Sequence, residues 1–456
     1  MQAKGNIVQY SAQNLHRRLN ILFKHDQSIA KQEGQSTIAT LDGVRAFAAL
    51  FVIGFHIDVI NNTDLWVPWK HPLASALITF GGSGVTLFFV LSGFLLFMPY
   101  AKALLFETRW PSARQFYLRR ALRILPGYYV ALAIMVLLFQ PQYLQPAYWK
   151  RLLLFITMFM DSTPQTFRQL NGPFWTLAIE WQFYMLMPLL MFGFLWIVSK
   201  IQGPPKRRIL SVLGCCLSVI FYGLFIRYIG IYSTNHPEQT FHLPGLVRKA
   251  MIFFLYGMTG KYLESFAVGM IICTCYIYAQ HPEYGVRLKE GLLRNSRWLR
   301  RFGLILLLFT AIWHFQVVQM PVTQFNFLNP LKYKFDWLNE MVIALGYSSW
   351  VLAILFGSHT LTGLFSFLPL RKIGTISFGL YMWHLPLLDF FHDKIVPHLN
   401  LGGPRHVYLA YWIWFAICVV PVATASYLLV ERPWMRLRAR TRKQERLPAN
   451  QTKAAP

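Results

Sequence analysis

The chain has 456 residues, of which 55% are hydrophobic and only 14% are charged. A soluble domain carries about a quarter charged residues, so this composition excludes an ordinary soluble globular protein. The net charge of +26 fits the bias of Lys and Arg towards the cytoplasmic loops of membrane proteins. We therefore expect the protein to lie in a lipid bilayer and do not expect it to bind nucleic acid.

Apolar segments of about 17 to 25 residues, the length that crosses a bilayer as a helix, recur along the chain. They predict an all-α polytopic membrane protein with about ten transmembrane helices. We expect residues 1–40 to form a cytoplasmic segment, 41–434 the membrane domain and 435–456 a basic cytoplasmic tail. The predicted spans are Asp42–Ile60, Leu77–Pro99, Ile124–Gln140, Phe174–Ser199, Ile209–Tyr232, Leu263–Gln280, Phe302–Gln319, Glu340–Gly357, Ile373–His392 and Tyr408–Val430.

The positions of Lys and Arg predict the orientation of these spans. Basic residues are dense before the first span, after the second, fourth and sixth spans, and in the C-terminal tail. This alternation predicts that both termini are cytoplasmic, although the segment Gly245–Lys261 departs from it. The apolar piece Leu152–Met160 is too short to cross, and we expect it to be re-entrant or interfacial on the outer side.

The first span carries two ionisable residues, Arg45 and His56, in an otherwise apolar helix. Their spacing returns them to nearly the same helix face at an axial separation of about 16 Å. Ionisable groups inside a membrane helix are costly and are functional candidates. The alternative is an arginine that snorkels to the lipid headgroups and a hydrogen-bonded core histidine.

Arginines also cluster where the third span begins, at Arg119, Arg120 and Arg123. Arg119 and Arg123 are one helical turn apart, so we expect them to project together. Guanidinium groups bind phosphate through paired hydrogen bonds, which suggests an anionic substrate. A simple anchor at the cytoplasmic surface is the alternative.

The fourth span contains a carboxylate, Glu180, at most about 10 Å from its outer end, and His56 lies about 6 Å from the outer end of its own span. The similar depths predict that Glu180 orients His56, as a carboxylate does in hydrolytic triads, here without a serine. A structural hydrogen bond from Glu180 to a histidine or tyrosine is the alternative.

Two further ionisable residues lie near the C terminus. His384 falls in mid-span, where a structural role is the stronger interpretation. Glu431 lies at the cytoplasmic border, where an ion pair with Arg432 or Arg120 is as plausible as catalysis. The other histidines are scattered without the spacing of metal ligands, so no metal site is predicted.

Together these segments resemble the acyltransferase-3 family of integral membrane acyltransferases, from about Leu41 to Trp434. The matching motifs are Arg45-x10-His56, Phe88–Phe94 with its Ser92-Gly93, Arg120-x2-Arg123 and Trp175–Tyr184, and the stretches Gly374–Pro386 and Ser426–Trp434 are similar to the end of the family.

The resemblance implies a plasma-membrane O-acyltransferase, usually an acetyltransferase, that takes an acyl group from cytoplasmic acyl-CoA to a hydroxyl of a cell-surface or exported carbohydrate. It implies acetyl-CoA or another acyl-CoA as donor substrate, with no permanently bound cofactor. The implied catalytic residues are His56 and Glu180, the donor-binding residues are Arg45, Arg120, Arg123, Ser92 and Gly93, and the supporting residues are Trp175, Tyr184, Arg119, His384 and Glu431.

Two mechanisms stay open at this point: His56 accepts the proton of the attacking hydroxyl, or His56 carries the acyl group transiently. The competing class is a transporter of a small anionic or sugar solute, which also uses buried ionisable residues and glycine-rich spans. The lack of a visible inverted repeat argues against it. A non-catalytic scaffold explains neither the arginine cluster nor the similar depths of His56 and Glu180.

Overall fold

In the computed structural model, the described residues are 39–61, 64–66, 70–201, 203–236, 244–318, 335–357 and 359–436. All regular secondary structure in these ranges is helical. Most of the predicted N-terminal segment and of the basic tail lies outside the described residues.

The α-helices are α1 Ala39–Asn61, α2 Pro72–Thr79, α3 Gly84–Phe106, α4 Ala113–Ile134, α5 Trp149–Ile156, α6 Phe174–Ser199, α7 Pro205–Asn235, α8 Gly245–Met251, α9 Leu263–Ala279, α10 Val286–Val318, α11 Phe335–Leu355, α12 His359–Ser366, α13 Leu368–Thr375, α14 Ser377–Lys394, α15 Pro404–Trp414 and α16 Val420–Ser426.

The predicted all-α membrane architecture is confirmed, and the described part of each predicted span is mainly helical, although Ile373–His392 falls on two helices, α13 and α14. Within the described ranges, eight helical segments are long and apolar enough to cross a membrane. The two exceptions are α9, which has only 17 residues, and α14, which carries Asp389, Asp393 and Lys394 near its end. The apolar piece near residue 152 forms the short helix α5, with eight residues.

The short helix α9 lies inside the bundle, packed against α3, α7 and α11. Its burial extends around the whole helix, from Glu264 near its start to Ala279 at its end. A Cβ atom on Gly93 of α3 would lie 2.1 Å from the carbonyl oxygen of Phe266, and one on Gly269 would lie 2.1 Å from that of Val90. Two glycines therefore let α3 and α9 approach backbone to backbone.

The first helix, α1, is the scaffold of the candidate site. It packs against α3, α13 and α14, and it presents Arg45 near one end and His56 near the other. A Cβ atom on Gly374 of α13 would lie 1.9 Å from the carbonyl oxygen of Asp42, so α13 crosses α1 closely at its arginine end. This packing places α1 between α13, α14 and the cavity described next.

Candidate active site

A cavity of about 90 Å³ opens among α1, α3, α4, α6 and α14. Its wall along α3 is mostly apolar, with Phe88 and Leu95 lining it, and most of its polar groups come from the other helices. The polar lining residues are Arg45, Ser92, Arg120, Arg123, Thr176, Glu180, Tyr184, Ser377 and Tyr381. The structure therefore brings residues of four separate sequence motifs to one cavity.

Three arginines line this cavity, and α4 supplies two of them. Arg120 lies over the ring of Tyr184, with its guanidinium carbon 5.6 Å from the ring centroid. The Nε of Arg120 is buried and has no hydrogen-bond partner among the described residues. Arg45 reaches the cavity from α1 and also pairs with Asp42 at 3.3 Å. The third, Arg123, follows Arg120 by one helical turn.

The expectation that Arg119 and Arg123 project together is wrong. Arg119 donates to the side-chain oxygen of Gln115 at 3.0 Å, at an exposed position outside the cavity lining. Arg120 occupies the expected place beside Arg123. Spacings of three and four residues both bring side chains to one helix face, and only the neighbouring helices decide which pair faces inwards.

Glu180 is held by two hydroxyl groups that donate to the same oxygen atom. Ser92 Oγ lies 2.6 Å from Glu180 Oε1, and Tyr184 OH lies 2.5 Å from it. Ser92, predicted to bind the donor, and Tyr184, a predicted supporting residue, therefore both hydrogen-bond to Glu180. The bond from Ser92 ties α3 to α6. The bond from Tyr184, within α6, is the tyrosine alternative foreseen for Glu180, and it corrects the expected pair of Glu180 with His56.

His56 is bonded to His384 instead. His384 Nε2 lies 3.2 Å from His56 Nδ1, and the two ring centroids are 5.0 Å apart. His384 is fully buried, whereas His56 is partly exposed. Because His384 belongs to α14 and Glu180 to α6, similar depth in the membrane could not by itself select the partner of His56.

The histidine pair is adjacent to the cavity, separated from it by one aromatic ring. Tyr381 lines the cavity, and its ring centroid is 5.8 Å from that of His384. Its hydroxyl accepts a hydrogen bond from Thr176 Oγ1 at 2.8 Å, and its ring lies 5.8 Å from that of Phe88. Neither Tyr381 nor Thr176 stood out in the sequence, because a tyrosine and a threonine in apolar helices carry no signal of their own.

The remaining predicted residues lie at the margins of the site. Gly93 faces α9 at the close helix contact and is not among the residues that line the cavity. Trp175 packs on Phe167, with centroids 5.6 Å apart. Glu431 ends the π-helical turn Tyr427–Glu431 and is buried beside Gly127 of α4. Gly93 thus has a packing role in this structure, and its predicted contact with a donor is not supported by its position.

Arg168 is a site residue that the sequence analysis missed. It lies in the connection before α6 with a φ of 57°, a left-handed conformation that is uncommon for a residue with a side chain. Its guanidinium carbon is 5.0 Å from the ring centroid of Phe167 and 5.9 Å from that of Trp175. It is close enough for its charge to act on His56 and on Tyr381. The only sequence signal was an arginine in a connection that carries one other charged residue, Asp161.

A helical membrane bundle that encloses an arginine-lined cavity next to a histidine pair defines a multi-pass integral membrane protein with a candidate group-transfer site. A family profile described as "Acyltransferase domain" matches residues 38–431, nearly the whole chain. The chain belongs to this family, acyltransferase-3, and is an acyltransferase enzyme. The predicted family and enzyme class are confirmed, and the transporter alternative is not supported.

Curated relatives agree with this assignment. The "Peptidoglycan O-acetyltransferase OatA" of Listeria monocytogenes is 26% identical over 427 residues, which cover 87% of this chain and 55% of that protein. The "Putative peptidoglycan O-acetyltransferase YrhL" of Bacillus subtilis is 23% identical over 415 residues, which cover 88% of this chain and 56% of that protein. The chain thus matches little more than half the length of these relatives. No solved structure matches it significantly.

Proposed function

We propose that this chain is a plasma-membrane O-acetyltransferase that moves an acetyl group from acetyl-CoA, or another acyl-CoA, to a carbohydrate hydroxyl. The observation that carries the proposal is an arginine-lined cavity one aromatic ring away from a histidine pair. The names of the two relatives make the glycan part of peptidoglycan one candidate acceptor. Arginines can bind the phosphates of a charged donor, and a histidine can act as the base that takes the proton of a hydroxyl acceptor.

The donor end is the arginine end of the cavity. Arg120 and Arg123 form no ion pair with a carboxylate in the described part of the chain, so their charges are available to an anion. The buried, unpartnered Nε of Arg120 is a donor without an acceptor, and leaving it so costs about 1–3 kcal/mol. A phosphate oxygen of coenzyme A would relieve this cost. With both termini in the cytoplasm, this end of the cavity faces the cytoplasmic supply of acyl-CoA.

The chemical step belongs to His56. In the direct version, the acceptor oxygen bonds to the thioester carbon and the carbon–sulfur bond breaks. His56 takes the hydroxyl proton and passes it to the departing thiolate. In the alternative version, the imidazole nitrogen attacks the thioester first, the thiol leaves, and the acceptor hydroxyl then displaces the histidine from the acyl group. Both versions conserve atoms and charge and need the same free nitrogen on His56.

The acceptor approaches from the side of Arg168 and Trp175. An exposed arginine stacked on aromatic rings offers both a hydrogen-bond donor and a flat apolar surface, which suits a sugar ring. The charge of Arg168 lies close to His56, so it would also stabilise the oxyanion that forms on the thioester carbonyl during attack. Tyr381 and Phe88 stand between the two ends, so the acyl arm must pass or displace their rings.

The test is acetyl-CoA hydrolysis by the purified protein, with His56→Ala against wild type. Loss of a general base costs about 10²–10⁴ in rate, so we expect a fall of that size while binding of coenzyme A is retained. His398→Ala, an exposed histidine outside the site, is the matched control and should behave as wild type. Undiminished hydrolysis in folded His56→Ala would refute the role of His56. If wild-type protein does not hydrolyse acetyl-CoA either, the expectation that the protein cleaves the thioester in the absence of a carbohydrate is wrong.

A further inference from the structure

The hydrogen bonds around the histidine pair determine which nitrogen atoms carry protons. His384 Nδ1 lies 3.1 Å from the carbonyl oxygen of Leu380 and 3.0 Å from that of Tyr381. Carbonyl oxygens only accept hydrogen bonds, so the proton of neutral His384 must be on Nδ1. Its Nε2 then carries a lone pair, and that lone pair points at His56.

The same reasoning fixes the proton of His56. Its Nδ1 lies 3.2 Å from the lone pair of His384 and 3.0 Å from the carbonyl oxygen of Val52. Both neighbours are acceptors, so His56 Nδ1 carries the proton and shares it between them. The lone pair of His56 is therefore on Nε2, the nitrogen that has no partner within the pair.

We propose that His384 is a positioning residue, which holds His56 as the Nδ1–H tautomer with a free, basic Nε2. This inference rests on the proposed function of His56. His384 cannot itself act on a substrate, because it is fully buried and both of its nitrogens are engaged. Its place is that of the group that orients the histidine in a hydrolytic triad, a place usually taken by a carboxylate.

The neutral partner suits a site inside a membrane. When Nε2 of His56 takes the hydroxyl proton, the imidazolium donates from Nδ1 to His384 and Val52, and a charge-assisted hydrogen bond is stronger than a neutral one. A carboxylate in the place of His384 would add a buried charge before the reaction, at a cost of several kcal/mol in hydrocarbon. Glu180, bonded to Ser92 and Tyr184, is already committed elsewhere.

The first test needs no variant. In protein labelled with ¹⁵N at histidine, we expect protonated Nδ1 and unprotonated Nε2 on both residues, and a scalar coupling across the bond from His56 Nδ1 to His384 Nε2. Assignment uses the loss of single resonances in His56→Ala and His384→Gln. A protonated His384 Nε2, or an absent coupling, would overturn the proposal whether or not the protein transfers acetyl groups.

The second test compares two replacements of His384. His384→Leu removes the acceptor, whereas His384→Gln can present an amide oxygen to His56. Loss of a partner that orients a metal-ligating histidine typically costs about 10–100-fold, and by analogy we expect kcat to fall by about that factor in the leucine variant and to recover partly in the glutamine variant. KM for acetyl-CoA should stay unchanged in both, because His384 does not line the donor cavity.

The matched control is His392→Leu, two turns further along α14, where the histidine bonds to Tyr411 OH at 2.7 Å. It should leave kcat and the coupling between His56 and His384 unchanged. Wild-type kcat in His384→Leu would overturn the positioning role while leaving the proposed function intact. Loss of kcat in His384→Leu together with undiminished activity in His56→Ala would instead contradict the proposed function.

Discussion

The charges of the cavity are three arginines and one carboxylate, and their surroundings give them different roles. Glu180 accepts two hydrogen bonds from neutral hydroxyls, so it acts on the arginines through its charge alone. Arg45 has Asp42 beside it. Arg120 and Arg123 keep the charge that an anionic donor would meet.

We expect Arg120→Lys to weaken binding of coenzyme A, because an ammonium group loses the paired hydrogen bonds of the guanidinium. One hydrogen bond to a charged group contributes about 1.5–3 kcal/mol, which corresponds to roughly a tenfold to hundredfold loss of affinity. Arg119→Lys, the neighbouring residue directed at Gln115, is the control and should bind normally. Affinity for coenzyme A is measured by calorimetry in detergent. Equal affinities of the two variants would show that Arg120 only anchors its helix at the cytoplasmic surface.

A second prediction concerns Glu180→Gln, which keeps the size of the side chain and removes its charge. Because the carboxylate competes with donor phosphates for the arginines, we expect coenzyme A to bind more tightly, with a gain that shrinks as salt rises. Glu107→Gln, an exposed carboxylate paired with Arg208, is the control. Unchanged affinity, combined with a lost coupling between the two histidines, would restore the original idea that Glu180 orients His56.

At the scale of whole helices, the contact between α3 and α9 is set by two glycines. Gly93 and Gly269 lie where each backbone reaches the other, and a Cβ atom at either would come within 2.1 Å of a carbonyl oxygen. A contact that close cannot be relieved by turning a side chain. The helix that carries Ser92 and the Phe88 wall of the cavity is therefore positioned by its contact with a helix outside the site.

We expect Gly93→Ala to lower the Tm of the purified protein, because overpacking of a tight contact costs about 1–3 kcal/mol. Gly193→Ala on the exposed face of α6 is the matched control, since no described atom lies within 4 Å of its Cβ position. Alanine favours a helix over glycine, so the control should equal or exceed the wild-type Tm. A wild-type Tm for Gly93→Ala would show that α3 and α9 are not in contact there.

At the scale of the molecule, the direction of the bundle in the membrane decides the direction of the reaction. The arginine end and the histidine end of α1 lie about 16 Å apart, roughly half the hydrocarbon thickness. A donor that enters at the arginines and an acceptor that enters at Arg168 would thus meet inside the bundle. The proposed function requires the arginine end to lie on the cytoplasmic side, where acyl-CoA would reach it.

We expect a reporter fused after Arg446, in the basic tail outside the described residues, to behave as a cytoplasmic protein. The reason is the excess of Lys and Arg in alternate loops. A fusion within the connection between α5 and α6 serves as the opposite control and should read as external. An external reading after Arg446 would place the arginines on the outer side and contradict the assignment of the donor end.

The sequence by itself determined the helices and the chemical groups of the site. Apolar runs predicted where the membrane helices lie. A segment that crosses a bilayer must satisfy its backbone hydrogen bonds internally, so an apolar run of that length predicts a helix. His56, Glu180, Arg120 and Arg123 were identified because ionisable groups are rare in such runs. These features are local, so they could be read without knowledge of the neighbours.

Only the tertiary structure decided the partners. His56 and His384 are 328 residues apart in sequence, and depth in the membrane made Glu180 an equally good candidate. The choice of Arg120 over Arg119, the packing role of Gly93 and the position of Arg168 were decided in the same way. The physical reason is that hydropathy fixes where a helix lies along the membrane normal, whereas rotation and neighbours are set by close packing between helices.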